Sequence, residues 1–242
     1  DYVQAGYTRR LDKDCYVDFD RIFAVSNETA GVFAGVYPEC QQKLSVFHNL
    51  IDTEAIRQKA LSPAEKSMHE GIRLLTVGRL TPQKGFDCAV YALKLLLEKQ
   101  YPVYWYIIGE GPEYGRLTQL ARSLHVEDHF IFLGMQTNPY PYFKMADFYI
   151  HATRFEGKSI AIQEAQVLGC AIAASDCSGN REQIVSGVDG LLCPFSPEGI
   201  ANAVEYLIEH PQTAESFGRE AAQKACHFEN DIHMIRDLLY SP

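Results

Sequence analysis

The chain has 242 residues, 47% of them hydrophobic, enough to bury one large core or one core and a fraction, so a disordered chain is excluded. Its 31 acidic residues against 22 basic ones give a net charge of −9, which argues against a nucleic-acid partner, because phosphate backbones are met by a basic face. An anionic small ligand is not excluded, since a concave site can focus a few cations and helix amides into a local positive field.

The seven cysteines, Cys15, Cys40, Cys88, Cys170, Cys177, Cys193 and Cys226, form no CxxC pair, and several sit in apolar runs such as Leu191-Leu192-Cys193. They read as reduced, buried thiols of a cytoplasmic protein. The eight histidines show no zinc-ligand spacing, so no metal is expected. No apolar run reaches the roughly 18–20 residues of a membrane span, and no signal peptide opens the chain. The start at Asp1, without a methionine, suggests a fragment.

In chain order, a strand is predicted over Arg21–Val25, a helix around Glu28–Tyr37 and a strand over Leu44–Phe47. This strand–helix–strand is too small for a core of its own and reads, as residues 1–48, as the closing segment of a preceding, acceptor-side domain. Residues 49–70 are polar and read as a crossing between domains. From 71 to 242, strands and helices alternate, the signature of a parallel sheet covered on both faces. Strands are predicted at 73–78, 103–109, 130–134, 148–151, 171–175 and 190–193. Helices are predicted at 86–100, 112–124, 159–168, 197–210, 213–227 and 231–240. The first of these lines up Phe86, Ala89, Leu93, Leu96 and Leu97 on one face. The expected fold is α/β, a doubly wound Rossmann-like parallel sheet, with one complete domain plus the tail of another.

In such a sheet ligands lie beyond the carboxyl ends of the strands, which singles out three loops. In Val77-Gly-Arg-Leu-Thr-Pro-Gln-Lys-Gly85 a strand leads to Arg79, a planar donor fork, and Lys84, a mobile point charge, a combination suited to a diphosphate. Taken alone, the two also read as solvated loop cations. Ile108-Gly-Glu-Gly-Pro-Glu-Tyr-Gly115 imitates a dinucleotide fingerprint but has Tyr114 at the third glycine position and Pro112 where a helix amide is needed. No acid follows the next strand to hold a ribose, so a dehydrogenase is disfavoured, and the glycines read as a tight turn.

The third loop follows the strand at 148–151 and runs into Glu156-Gly157-Lys158-Ser159, where Ser159 is a natural N-cap. The free amides of Ile160 and Ala161 then form a second seat for phosphate. Glu164 lies roughly 7 Å farther along that helix, at ~1.5 Å per residue. Two carboxylates so spaced, Glu156 and Glu164, suit the vicinal hydroxyls at two ends of one ligand. Cations, amides and paired acids together describe a sugar-nucleotide pocket.

Residues from about 20 to 240 resemble the carboxyl-terminal, donor-binding half of the retaining glycosyltransferases of family 4, which have the two-domain GT-B fold. The resemblance is carried by Gly78-Arg79-Leu80 with Lys84-Gly85, Gly109-x-Gly111-Pro112, Phe132-Leu133-Gly134, Glu156-x7-Glu164 and Gly179-Asn-Arg-Glu182, in the family's order and spacing. Each is a weak signal alone, and the set is specific. The resemblance implies that Arg79 and Lys84 hold the diphosphate of a donor, most simply a UDP-sugar, and that Glu164 bonds the ribose. It also implies that Glu156 bonds the donor sugar, with amides from Lys158 to Ala161 touching sugar and phosphate and the base near Phe132, Leu133 and Gly134.

By the same resemblance Glu156, Arg79 and Lys84 carry catalysis, Glu156 by positioning and electrostatic support rather than as a covalent nucleophile. Where many relatives read E-G-F-G or E-G-F-P, this chain reads E-G-K-S, similar to enzymes of bacterial capsule and surface-polysaccharide synthesis. The implied partners are a nucleotide sugar and, through an amino-terminal domain, a glycan or lipid-linked acceptor, with peripheral membrane association of the full protein. No histidine here, among them His48, His125 and His151, is assigned a role. Each reads as an ordinary core or surface imidazole. The alternatives are a sugar-nucleotide epimerase of the same fold and a non-catalytic binding module. The intact Arg79, Lys84, Glu156 and Glu164 set speaks against the module.

Overall fold

The structure, a computed structural model, describes residues 15–226. Residues 1–14 of the expected closing segment and the helix expected over 231–240 lie outside the described residues. The first strands among the described residues are a parallel pair, β1 (Ile22–Ala24) and β2 (Leu44–Val46), joined through helix α1 (Asn27–Val36) and a 3-10 turn at Pro38–Lys43. Phe33, Tyr37 and Cys40 pack there into a small apolar cluster.

Six parallel strands follow: β3 (Ile72–Val77), β4 (Val103–Ile108), β5 (Phe130–Gly134), β6 (Phe148–His151), β7 (Ala171–Ser175) and β8 (Leu191–Cys193). They stand side by side in the order β5-β4-β3-β6-β7-β8, the doubly wound arrangement whose strand order reverses between β3 and β6. The helices between them are α3 (Phe86–Glu98), α4 (Tyr114–Ser123), α5 (Tyr140–Met145), α6 (Ile160–Val167) and α7 (Ser178–Arg181); α8 (Pro197–Glu209) and α9 (Pro211–Ala225) follow β8, and α2 (Thr53–Lys59) precedes the sheet.

Two cores form because side chains alternate along each strand. Leu74, Trp105, Ile107 and Ala173 face α3, α4, α8 and α9, whereas Leu75, Tyr106, Ile108 and Ile172 face α5 and α6. At the centre the buried Trp105 Nε1 donates to Thr76 Oγ1 at 2.9 Å, and that hydroxyl donates to Ile150 O at 2.7 Å. The link crosses β4, β3 and β6 and satisfies each buried polar atom on the way.

All eight predicted strands are present, but three short helices are not foreseen. α2 lies in the polar crossing, capped by the Asp52 carboxylate on Ala55 N at 2.8 Å, and buries Ile56 against Val167 and Ala225. α5 opens at Tyr140-Pro-Tyr-Phe143, a run without helical periodicity, and α7 has four residues. The helix expected from 213 begins at Pro211, where proline supplies the fixed φ of a first turn. The expectation of uniformly buried thiols is corrected: Cys40, Cys88, Cys170 and Cys193 are buried, Cys177 is half-buried, and Cys15 and Cys226 are exposed. Cys226 stands at the C-cap of α9, where its thiol accepts from Arg57 Nη2 at 3.7 Å and donates to Ala222 O at 3.4 Å.

The β1–α1–β2 unit is tied to the larger sheet through the Gly179-Asn-Arg-Glu182 segment. The Glu182 carboxylate accepts from Asn27 N at 3.0 Å and Glu28 N at 2.5 Å, capping α1 from 155 residues away, and Ser178 donates to the Glu28 carboxylate. Burial, with the neighbouring Glu182 charge, raises the pKa of Glu28. Replacing a capping acceptor with alanine typically costs about 1 kcal/mol. Glu182→Ala is therefore expected to lower stability by roughly that amount and to speed hydrogen exchange at the Asn27 and Glu28 amides, read by NMR. Unchanged exchange at both amides would show that the cap is not held in solution.

Candidate functional site

The crevice at the carboxyl ends of β3 and β6 gathers the loops singled out by sequence. After β3, Pro82–Lys84 forms a single 3-10 turn, and its backbone is stitched to the segment after β6. Arg154 N donates to Gln83 O at 2.8 Å, Thr153 Oγ1 to the same carbonyl at 3.1 Å, and Gln83 Nε2 to Phe155 O at 3.0 Å. These bonds deliver Lys84 onto Glu156, with which it forms an ion pair, the side chains 16% and 11% exposed. The Glu156 loop is itself held from below by Gly179, where a Cβ would overlap the carbonyl oxygens of Glu156 and Gly157.

Glu156 has a second partner. His151, buried at the end of β6, places Nε2 3.3 Å from Glu156 Oε2, the same oxygen that takes Lys84. Burial by itself would raise the carboxyl, but the His151 hydrogen bond and the Lys84 charge outweigh it and hold Glu156 at a pKa of about 2. Oε1 makes no hydrogen bond among the described residues.

Ser159 caps α6 as expected, its hydroxyl accepting from Ile162 N at 3.4 Å. The amides of Ile160 and Ala161 carry no hydrogen bond among the described residues, and Ile160 is half exposed at the helix start. Gly157 and Lys158 lie between them and Glu156 in the half-buried loop. Within α6, Glu164 points to a separate partner, accepting from Tyr140 Oη at 3.0 Å. Burial raises the pKa of Glu164, only partly offset by that bond, and pushes Tyr140 up to about 12 with the Glu164 charge adding to it. The two glutamates do not touch. Tyr149, buried on β6, senses both: burial first, then Glu164 and Glu156, raise its pKa well above the usual value.

Arg79 is exposed and makes no ion pair among the described residues. Its loop is fixed by the glycine segment after β4, and this corrects the reading of those glycines as only a tight turn. Gly109 has φ +143°, and a Cβ there would overlap Gly78 O, while one at Gly111 would overlap Leu80 O. Leu80 N donates to Glu110 O at 2.9 Å and Glu113 N to Leu80 O at 3.1 Å. The glycines are there so that two backbones can touch. Beyond them a cleft of about 510 Å³ opens, lined by Gly109–Gly111, Tyr114, Phe132, Leu133 and Gly134. The Tyr114 and Phe132 rings meet edge to face at 5.1 Å along its wall. A cleft of about 550 Å³, lined by Asp147, Phe148, Cys170, Ala171 and Gly218 among others, opens at the amino ends of β6 and β7, the opposite end of the sheet from Lys84 and Glu156.

Sequence reasoning missed Tyr140, Tyr149 and His151. His151 was set aside as an ordinary imidazole, although it closes a strand at the sheet's ligand-facing edge, the position that drew attention to its neighbours. That rule was applied to the loop after β6 and not to the last residue of the strand itself.

Comparison with known proteins identifies the family. The family model for glycosyl transferases group 1 matches residues 57–224. An N-acetylgalactosaminyltransferase of Campylobacter jejuni, acting on an N-acetylgalactosamine-N,N'-diacetylbacillosaminyl-diphospho-undecaprenol, is 30% identical over 200 residues, covering 82% of this chain and 53% of its own length. Among solved structures, Anabaena HepE in complex with UDP-glucose superposes with a TM-score of 0.85 at 20% identity, over 99% of this chain and 70% of that one. The pneumococcal O-GlcNAc transferase GtfA in complex with UDP and GlcNAc has a TM-score of 0.77 at 18% identity, over 96% of this chain and 48% of its own. These structures share the fold. The chain spans about half the length of the curated relatives it matches. With a family model aligned to well over half of the residues, ending beyond the last strand of the sheet, the chain belongs to the glycosyl transferases group 1 family.

Proposed function

We propose that this chain binds a nucleotide diphosphate sugar, with UDP-sugar the first choice, and supplies the donor side of a retaining glycosyl transfer to an acceptor hydroxyl. The observation that carries the reading is the meeting of Lys84 and Glu156 at the sheet's switch point, beside the unbonded amides of Ile160 and Ala161. In this reading the base enters the cleft at Phe132, Leu133 and Gly134, and Glu164 takes the ribose. The diphosphate lies against Arg79, Lys84 and the α6 amides, and Glu156 receives the donor sugar through Oε1, with Gly157, Lys158 and Ser159 shaping the loop around it.

The chemistry follows from charge. Breaking the bond between sugar and diphosphate leaves negative charge on the diphosphate and positive charge on the sugar ring. Arg79, Lys84 and the amides at the start of α6 stand ready for the first, preorganised donors being worth most where charge develops. The anionic Glu156 supports the second. No metal ion is invoked.

That HepE and GtfA were each solved with UDP supports the choice of nucleotide. The undecaprenol-linked substrate in the Campylobacter relative's name supports a lipid-linked acceptor; surface-polysaccharide synthesis at the cytoplasmic face of a membrane is proposed for the full protein. No helix among the described residues is long and apolar enough to cross a membrane.

Calorimetric titration with UDP, GDP and ADP tests the reading. UDP is expected to bind, and Glu164→Gln to weaken it about tenfold, since a sheltered charge-assisted hydrogen bond contributes about 1.5–3 kcal/mol and the amide keeps only part of it. Absence of binding by all three nucleotides would sink the proposal.

A further inference from the structure

His151 and Tyr149 are buried and titratable, and the roles assigned above to the donor-binding residues do not use them. Their geometry fixes where the protons sit. Glu156 is anionic and can only accept, so the His151 nitrogen facing it at 3.3 Å carries the hydrogen. Burial first, and then the Lys84 charge, lower the pKa of His151 in spite of the bond to Glu156, so the ring is neutral and has one N–H. Nδ1 is therefore an acceptor, and the Tyr149 hydroxyl, 3.3 Å away, is the donor in reach. Val77 O lies near the same hydroxyl at 3.5 Å, the limit of a hydrogen bond, so Nδ1 takes the larger share of its proton.

The other charged and titratable groups around this chain are Lys84 from the loop after β3, Glu164 from α6 and Cys170 just before β7, both acting on Tyr149, and Cys177 from the turn after β7, on which the Glu156 charge acts. Lys84 cannot serve two anions equally. When its ammonium turns to a diphosphate, Glu156 Oε2 loses its stronger partner and keeps only the imidazole. We infer that Tyr149 and His151 are the support that holds Glu156 in place while Lys84 turns to the diphosphate, so that His151 is a positioning residue for the donor sugar. This rests on the nucleotide-sugar reading of the site. The support is of the kind that orients an ionised group from behind, through a fixed tautomer.

The test has an arm that needs no ligand. In the 15N-histidine-labelled chain, the His151 resonances are expected to show a neutral Nε2–H tautomer from pH 6 to 8. An Nδ1–H tautomer, or an imidazolium at pH 7, would overturn the support. The second arm compares UDP with UDP-glucose and UDP-N-acetylglucosamine, whichever sugar form binds more tightly, and reads the affinity gained from the sugar. His151→Phe is expected to remove that gain, about tenfold, with the affinity for UDP alone within about twofold, and His151→Gln, whose amide can donate to Glu156 from the Nε2 position, to restore part of it. A fully retained gain in a folded His151→Phe overturns the inference.

If that variant does not fold, Tyr149→Phe, which lacks only a hydroxyl, decides. Mixed tautomer signals and a gain reduced severalfold are expected, and no change in either overturns it. Failure of the unaltered chain to bind UDP would instead remove the reading of the site and the role of His151 with it. UDP binding with unaltered sugar gains removes the support alone.

Discussion

Lys84→Ala is expected to weaken UDP binding at least about 100-fold while the chain stays folded. Lys84 is the cation placed deepest in the crevice, its turn pinned by three hydrogen bonds that involve backbone or side-chain atoms of other residues and survive its truncation. An ammonium on a diphosphate makes charge-assisted bonds of about 1.5–3 kcal/mol each in a sheltered site, and two of them account for such a loss. UMP, with one phosphate, should be affected far less, because the terminal phosphate is the group Lys84 would reach. Calorimetry with both nucleotides, alongside a thermal melt, makes the measurement. Equal losses for UMP and UDP, or UDP affinity unchanged within about threefold, would place the diphosphate elsewhere.

Glu156→Gln is expected to destabilise the chain and to do so in a pH-dependent manner. A carboxyl with a folded pKa of about 2, against 4.5 in the unfolded chain, contributes stability that is fully present above the unfolded value and is lost as pH falls toward the folded one. The size corresponds to something on the order of 3 kcal/mol at neutral pH, the loss falling mainly on the bonds to His151 and Lys84. Urea unfolding at pH 7 should show most of that difference between the two proteins, and the gap should close between about pH 4.5 and pH 2. A gap that stays constant over this range would mean that Glu156 gains nothing from its partners. Donor binding should fall as well, with the sugar's share of affinity lost before that of UDP.

Much of the fold was legible because its signals are local and repeated. The apolar runs along Ile72–Val77 and Val103–Ile108 and the helical period of Phe86–Glu98 survive in the structure almost residue for residue. What was not legible depended on contacts far apart in sequence. α2 is stabilised by packing on α6 and α9, which no window around Thr53 contains. Glu182 was noted only as part of a motif, and its carboxylate turns out to cap α1, the partner lying 155 residues away. At the site, Lys84 and Glu156 were expected to face one ligand, and they meet directly. Glu164 was paired with Glu156 by spacing, yet it turns to Tyr140, because the residue that buries it comes from α5, a helix the sequence hides.

The contact of Gly109 and Gly111 with the Gly78–Leu80 backbone has an outcome for how such a protein can change over time. Under the proposed reading, the phosphate loop and the nucleobase wall share one main-chain seam, so neither can be re-laid without the other. A switch of preference from one nucleobase to another would then have to be written in the side chains at Tyr114 and Phe132, with the backbone under the proposed pyrophosphate seat left as it is.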